Sequence, residues 1–452
     1  MNVAMSLKEL GSVKYLATQA LPTIGVLLLQ TGLSMLEMIY ISKLGTFPVA
    51  GASVVMPLLL LMTTLSAAGI GGGVNASVAQ SVAHKDTHTA QRILWHSTLL
   101  AIAIGGLLMF LGWTLSPRVY DLLGAKGQTL TYATQYTQGI VWGLIPMWCF
   151  NLLAAGLRGA GEASLPAKVM VISALWLLIA NPILMFGMGD FQGYGIQGAG
   201  LALSSYYGLA TLILIMLLWN RPSSKLTLRV YAWKPSILQS VLSIGLPSAI
   251  GTLLSSLVTL LLTASVTPFG EQTLVGYTIA SRLDASLIPL LFGIGSALTA
   301  IIGRAKALRA YHFIQHQMRR VILGVSLFTT LLGVCVYWYP ESWIGLFKLE
   351  PQATTQGVMY LSTVGITYGF FATGLIGYFT GQGLGYITPS FLSVSFRLFS
   401  SLLGWWLVST QHLTYPSLLR MMALGYVLSG IIPLVLLEQK LKRLIDTNPS
   451  HP

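Results

Sequence analysis

A chain of 452 residues in which 54% are hydrophobic and only 8% charged cannot clothe itself in water-facing surface, since a soluble domain carries about 25% charged residues. The net charge of +13 and a pI near 9.7 point first to nucleic acid, yet the basic residues sit in short loops between apolar runs and form no contiguous basic face. With a mean hydropathy of +0.74, lipid is the medium left for most of the surface, and Cys149 and Cys335, far apart in apolar runs, make neither a disulfide framework nor a metal pattern.

Windows of about twenty apolar residues are spanning candidates, and twelve occur. They cover residues 15–41, 50–80, 93–115, 131–157, 165–187 and 195–219, then 238–266, 273–303, 317–339, 357–381, 390–410 and 417–437. The first follows Lys8, Glu9 and Lys14 without a small-residue cleavage site, so it reads as a retained helix rather than a leader. The run Gly69-Ile70-Gly71-Gly72-Gly73 lies inside the second window, where glycines let helices approach or bend; no Lys-Ser or Lys-Thr follows it, so it is no phosphate loop. The basic segment Asn220 to Pro235 separates the sixth and seventh windows and reads as a hinge. The expected organisation is a six-helix bundle over 1–219, a cytoplasmic linker over 220–236, a second bundle over 237–438 and a tail over 439–452.

With the N-terminus inside, 18 of the 25 Lys and Arg fall on the cytoplasmic side, Arg221, Lys225 and Arg229 among them. Five, including Lys348, fall on the far side, and Arg282 and Arg397 fall within spans. That bias places both termini in the cytoplasm and requires an even number of helices.

Landmarks recur along the chain. Leu21-Pro22 returns as Leu246-Pro247, and Leu44-Gly45 as Phe269-Gly270. Gly69-Ile70-Gly71 returns as Gly293-Ile294-Gly295, and Arg158-Gly159-Ala160-Gly161 as Gln382-Gly383-Leu384-Gly385. Register holds to within one residue across six helices, so both halves run in the same direction through the membrane, the parallel type of transporter repeat. The predicted fold is therefore an all-α integral membrane protein of about twelve helices in two six-helix bundles. Rocking two such bundles about a central cleft would expose it alternately to the two sides.

Here the sequence resembles a known family. Glu37-Met38-Ile39-Tyr40-Ile41-Ser42-Lys43-Leu44-Gly45, then Pro48-Val49-Ala50-Gly51, is similar to the first-helix pattern of multidrug and toxic compound extrusion (MATE) transporters. Leu157-Arg158-Gly159-Ala160-Gly161-Glu162 with Pro166 resembles that family's turn between helices four and five. Gly198 to Ser204 and Gly295 to Gly303 fit as well, nearest in pattern to the bacterial DinF-like branch. The resemblance implies a MATE-like fold that exports organic cations or drugs by proton- or sodium-coupled antiport; a bacterial inner membrane and a monomer are expected. Neither a resident metal nor an organic cofactor is expected, the coupling ion being a proton or sodium.

Of the 12 acids, ten fall in tails, loops or helix ends; only Glu37 and Asp284 lie within spans. A charge there costs at least a few kcal/mol and persists only when paired, protonated or lining water. A carboxylate that gains and loses a proton could couple transport to a gradient, whereas one locked to a neighbouring helix would be structural. Ser34, Leu33 and Gln30 share the helical face of Glu37, so Gln30 and Ser34 are candidate ligands. The resemblance implies a second acid before a proline on helix five, where this chain has Asn181-Pro182, leaving Asn181 and Ser204 as neutral candidates beside Glu37. Other branches carry a Glu on helix seven, eight residues after the proline; Ser255 stands there. Asp284 and Arg397 form a candidate interhelical ion pair, and Arg282 is left without an assigned partner. Asn151, with Trp142, Met147, Trp148 and Phe150 beside it, is a candidate for a substrate cleft, though a polar residue in a span is more often a helix–helix hydrogen bond.

His312 and His316 have a metal-like spacing but lie in a basic stretch with no acid in reach. Two rivals are weighed. A lipid-linked oligosaccharide flippase needs several cleft cations, and only Arg282 and Arg397 are available. An integral-membrane transferase needs acids clustered at one face, and the twelve acids form no such cluster.

Overall fold

The computed structural model describes residues 7–220, 226–347, 349–410 and 413–447; Arg221, Lys225, Lys348 and the end of the tail lie outside the described residues. Among the described residues, twelve helices are long and apolar enough to cross a membrane. In the first half they are α1 (Val13–Ser42), α2 (Thr46–Ala83), α3 (Thr87–Leu122), α4 (Gly127–Ala160), α5 (Ser164–Phe186) and α6 (Gly195–Asn220). The second half has α7 (Pro235–Val266), α8 (Glu271–Ala307), α9 (Tyr311–Trp338), α10 (Pro351–Leu384), α11 (Thr388–Ser409) and α12 (Tyr415–Thr447). Each coincides with one predicted window, as the demand that every backbone group be satisfied inside hydrocarbon dictates.

The repeat is written into the turns. Gly45 and Gly270, which precede α2 and α8, have φ of 116° and 98°. Gly161 and Gly385, which close α4 and α10, are left-handed at 80° and 64°. A third pair escapes a search for glycines: Lys85 and Arg309 end α2 and α8 with φ of 58° and 56°. Left-handed backbone is uncommon for residues with a side chain, so its occurrence at matching places shows that two copies of one helix–turn–helix plan were laid down.

The copies differ where a helix is interrupted. A π turn, Leu65–Ile70, breaks α2, while its counterpart α8 runs through. A 3₁₀ turn, Gly365–Thr367, breaks α10, while α4 runs through.

Two compact units emerge: one holds residues Thr18–Leu246, the other Met1–Ala17 with Pro247–Pro452. These bounds fall within α1 and α7, whereas the halves read off the sequence divide at the linker over 220–236. In the first unit α4 is central, with 83% of its apolar window buried against 17% for α3. In the second, α10 and α8 take that place, at 67% and 61%. The central helices are rich in small residues: Gly139 of α4 packs on Gly200 of α6 so closely that added side chains would meet backbone.

Residues 226–234 are laid along the start of α3 and are not free. Gln91 Nε2 donates to Thr227 Oγ1 at 3.0 Å, and the Tyr231 hydroxyl donates to Gln91 Oε1 at 2.6 Å. Lys234 N–H donates to His96 Nε2 at 2.8 Å, while His96 Nδ1 lies 2.8 Å from the Arg92 carbonyl.

Asp86 caps α3, accepting the Thr89 N–H at 2.8 Å, and hydrogen bonding from the Thr89 side chain, then from its backbone, holds the carboxyl below the usual 3.8. Asp86→Ala should lower thermal stability in detergent by about 0.5–2 kcal/mol. Because the folded value is depressed, the contribution is present above pH 3.8 and fades as pH falls through the lower folded value.

Candidate functional site

Glu37 stands in the penultimate turn of α1 and is 5% exposed. Its hydrogen-bond partner is the Tyr136 hydroxyl of α4, which donates to Oε1 at 2.9 Å. Tyr136 is fully buried, so the carboxylate is drawn into the unit and away from lipid. Tyr207 of α6 lies within electrostatic reach of Glu37 and beside Thr63 of α2.

Two features hold Tyr136 in place. Ser204 of α6 donates to the carbonyls of Gly139 and Ile140, at 2.7 and 3.1 Å, one turn beyond the tyrosine. Gly200 lies against the Tyr136 carbonyl. Ser204 therefore positions the tyrosine's helix; its hydroxyl is bonded to backbone. Together with Leu59, Ile140, Met147 and Tyr207 it also lines a small cleft, into which Met147 brings an adaptable thioether.

The other candidates divide. Asn181 on α5 is 3% exposed and its Oδ1 has no hydrogen-bond partner among the described residues; it is buried, but not bonded to Glu37. Leu33, one turn before Glu37, is buried, whereas Ser34 is exposed and turned toward Met56 Sδ at 3.9 Å. Gln30 is half-buried beside the Tyr206 hydroxyl. Trp148 and Phe150 are buried, and Trp142 is exposed against Trp113.

Asn151 ties α4 to the π turn of α2, its Nδ2 donating to Ser66 Oγ at 2.8 Å. This is a helix–helix bond at a helix interruption. Asn151→Ala should cost about 0.5–1.5 kcal/mol, read as a lower midpoint of thermal unfolding in detergent.

In the second half the expected ion pair is replaced by something else. Asp284 of α8 is 8% exposed and accepts three tyrosine hydroxyls. Tyr368 donates to Oδ1 at 2.5 Å, and Tyr360 and Tyr426 donate to Oδ2 at 2.6 and 3.1 Å. Arg397 makes no ion pair with it among the described residues. The guanidinium instead lies over the rings of Tyr426 and Phe371, 5.1 and 5.6 Å from their centres. Three donors fill the carboxylate, and the aromatic faces accept the cation. Arg282 is exposed. Sequence reasoning named none of these three tyrosines; the signal that could have exposed one is the repeat, because Tyr360 occupies the position of Tyr136.

A multi-pass membrane protein with a two-fold helical repeat and a buried acid in each half is built as a membrane transporter. A model of the MatE family matches residues 22–183 and 247–406, beginning at the repeated prolines; the chain belongs to the MatE family. It is 24% identical over 378 residues to the FAD transporter of Shewanella oneidensis, covering 81% of this chain and 82% of that protein. To the probable multidrug resistance protein NorM of Thermotoga maritima it is 23% identical over 362 residues, covering 79% and 77%. Among solved structures, a MATE in the bent conformation superposes with a TM-score of 0.91 at 19% identity, over 100% of both chains.

Proposed function

We propose that this protein is a secondary active exporter that exchanges a proton or sodium ion for small organic cations or amphipathic compounds by alternating access. In this reading it resides in a bacterial inner membrane as a monomer with both termini in the cytoplasm, and it catalyses no covalent chemistry. The observation that carries the proposal is the Glu37–Tyr136 pair. A carboxylate buried in a spanning unit and held, among the described residues, by one neutral donor and no cation can be neutralised by an ion or by a cationic substrate, but not readily by both. Competition of that kind makes the entry of one release the other. Relatives named as multidrug resistance and multidrug export proteins support this assignment.

Expression in an efflux-deficient bacterium tests it. Cells making the protein should accumulate less of a fluorescent organic cation than control cells, and an ionophore that collapses the gradient should abolish the difference. FAD belongs among the competitors, given the Shewanella relative. Equal accumulation in both cells, with the protein present in the membrane, would overturn the assignment.

A further inference from the structure

The strap formed by residues 226–234 is fastened to the start of α3 within the first unit, and the fastening decides which side chains it leaves outside. Leu226 and Leu228 are buried. Gln91 grips the strap twice, through Thr227 and Tyr231, and His96, little more than one turn on, accepts the Lys234 N–H. His88 meets the Tyr231 ring edge-on at 5.1 Å, and His96 stacks on Trp233 at 5.3 Å. Arg229, Val230, Trp233 and Lys234 are left exposed, Val230 by 66% and Trp233 by 57%. Arg92 lies over the Tyr231 ring, 5.7 Å from its centre, and its carbonyl is 2.8 Å from His96 Nδ1. Arg92, Arg229 and Lys234 therefore gather along one short stretch of α3, and none of them forms an ion pair among the described residues. Asp86, the acid within electrostatic reach of Arg92, is turned to the Thr89 N–H.

We propose that the strap and the start of α3 form a binding site for an anionic phospholipid, with Arg92, Arg229 and Lys234 on its phosphate headgroup and Val230 and Trp233 against the upper part of its acyl chains. The position along α3 argues for this ligand. The apolar window of α3 begins at residue 93, so the strap lies at the level where hydrocarbon gives way to water. Trp is favoured at that level, and Lys and Arg reach from it with their apolar stems in lipid and their charges among the headgroups. Arginine offers a phosphate paired N–H donors, and lysine a compact charge beside them. Exposed apolar side chains next to cations fit a ligand that is itself half apolar and half charged, which a lipid is and a free phosphate is not. A zwitterionic lipid carries the same phosphate but brings its own cation, so the site should prefer a headgroup of net negative charge, as cation clusters beside spanning helices do. The proposal does not depend on the exporter reading.

Quenching of Trp233 fluorescence by bromine-tailed lipids tests it without requiring transport. Full-length protein is placed in phosphatidylcholine bilayers doped with brominated phosphatidylglycerol or brominated phosphatidylcholine, and the signal of Trp233→Phe protein is subtracted to isolate Trp233. At equal mole fraction the brominated phosphatidylglycerol should quench Trp233 more strongly; equal quenching by the two lipids would overturn the proposal. Arg229→Gln and Lys234→Gln should each reduce the preference about fivefold, the effect of one cation near an anionic membrane surface, and Arg229→Lys should keep it. A preference unchanged in the double variant of Arg229→Gln and Lys234→Gln would also overturn it. Gln91→Ala keeps every charge but releases Thr227 and Tyr231, so the preference should fall if the held strap builds the site. An unchanged preference in Gln91→Ala would reduce the effect to diffuse surface charge and contradict a built site. Inorganic phosphate added at constant ionic strength should leave the preference intact; its loss would show that the site takes a free anion rather than a lipid.

Discussion

Glu37→Gln should leave a folded protein that still binds an organic cation but no longer exports it against a gradient. Gln has nearly the shape of Glu, and its amide oxygen can accept the Tyr136 hydroxyl that Glu37 accepts at 2.9 Å, so α1 and α4 stay joined. What disappears is the ability to change charge. A coupling between ion and substrate of about 1–3 kcal/mol corresponds to about 5- to 150-fold in affinity, and with that coupling gone a gradient can no longer drive export. Ungated exchange of substrate for substrate should survive. Tyr136→Phe in parallel should preserve export and change its pH profile, because the tyrosine touches the carboxyl but does not carry the proton. Loss of substrate binding together with export in Glu37→Gln would show that the acid grips substrate directly and that coupling lies elsewhere.

Gly200→Val should have the largest effect on stability. A Cβ at Gly200 would lie 2.5 Å from the Tyr136 carbonyl oxygen and 2.8 Å from the Ile140 nitrogen. These are backbone atoms in the middle of a helix, so no rotamer change can relieve the clash, and α4 and α6 must separate. Overpacking of this kind costs about 1–3 kcal/mol, and in a membrane the loss of close packing is not compensated by a hydrophobic term. Separation would also break the bonds from Ser204 to Gly139 and Ile140, shifting Tyr136 away from Glu37. Thermal unfolding in detergent should show the drop, and export should fall with it. The nearby Gly208→Val serves as the control, since nothing lies within 4 Å of a Cβ there.

The spans were legible because hydrocarbon imposes a single rule on every residue of a helix, and composition alone satisfies or breaks it. The repeat was legible for a related reason: a left-handed turn favours glycine, so Gly45, Gly161, Gly270 and Gly385 mark the chain visibly. Lys85 and Arg309 adopt the same conformation yet carry no such mark. Glu37 and Asp284 stood out because an acid in a span is expensive. Their partners did not, because a tyrosine in a span reads equally well as packing, and only helix rotation decides which hydroxyls converge. Ser34 illustrates the limit. At three residues before Glu37 it shares the acid's face as closely as spacing can tell, and so does Leu33 at four; packing then buried Leu33 and left Ser34 exposed. The Asp284–Arg397 pairing was a bookkeeping of charges, and three neutral hydroxyls with an aromatic face supplied a cheaper arrangement.

The central claim is that an ion gradient drives this chain through Glu37. It is tested most directly by following a fluorescent organic cation in proteoliposomes under a proton gradient, a sodium gradient or none, with wild type and Glu37→Gln side by side. The account predicts concentrative transport by wild type under one of the two gradients, none without a gradient, and none by Glu37→Gln under either. Full gradient-driven transport by Glu37→Gln would contradict it.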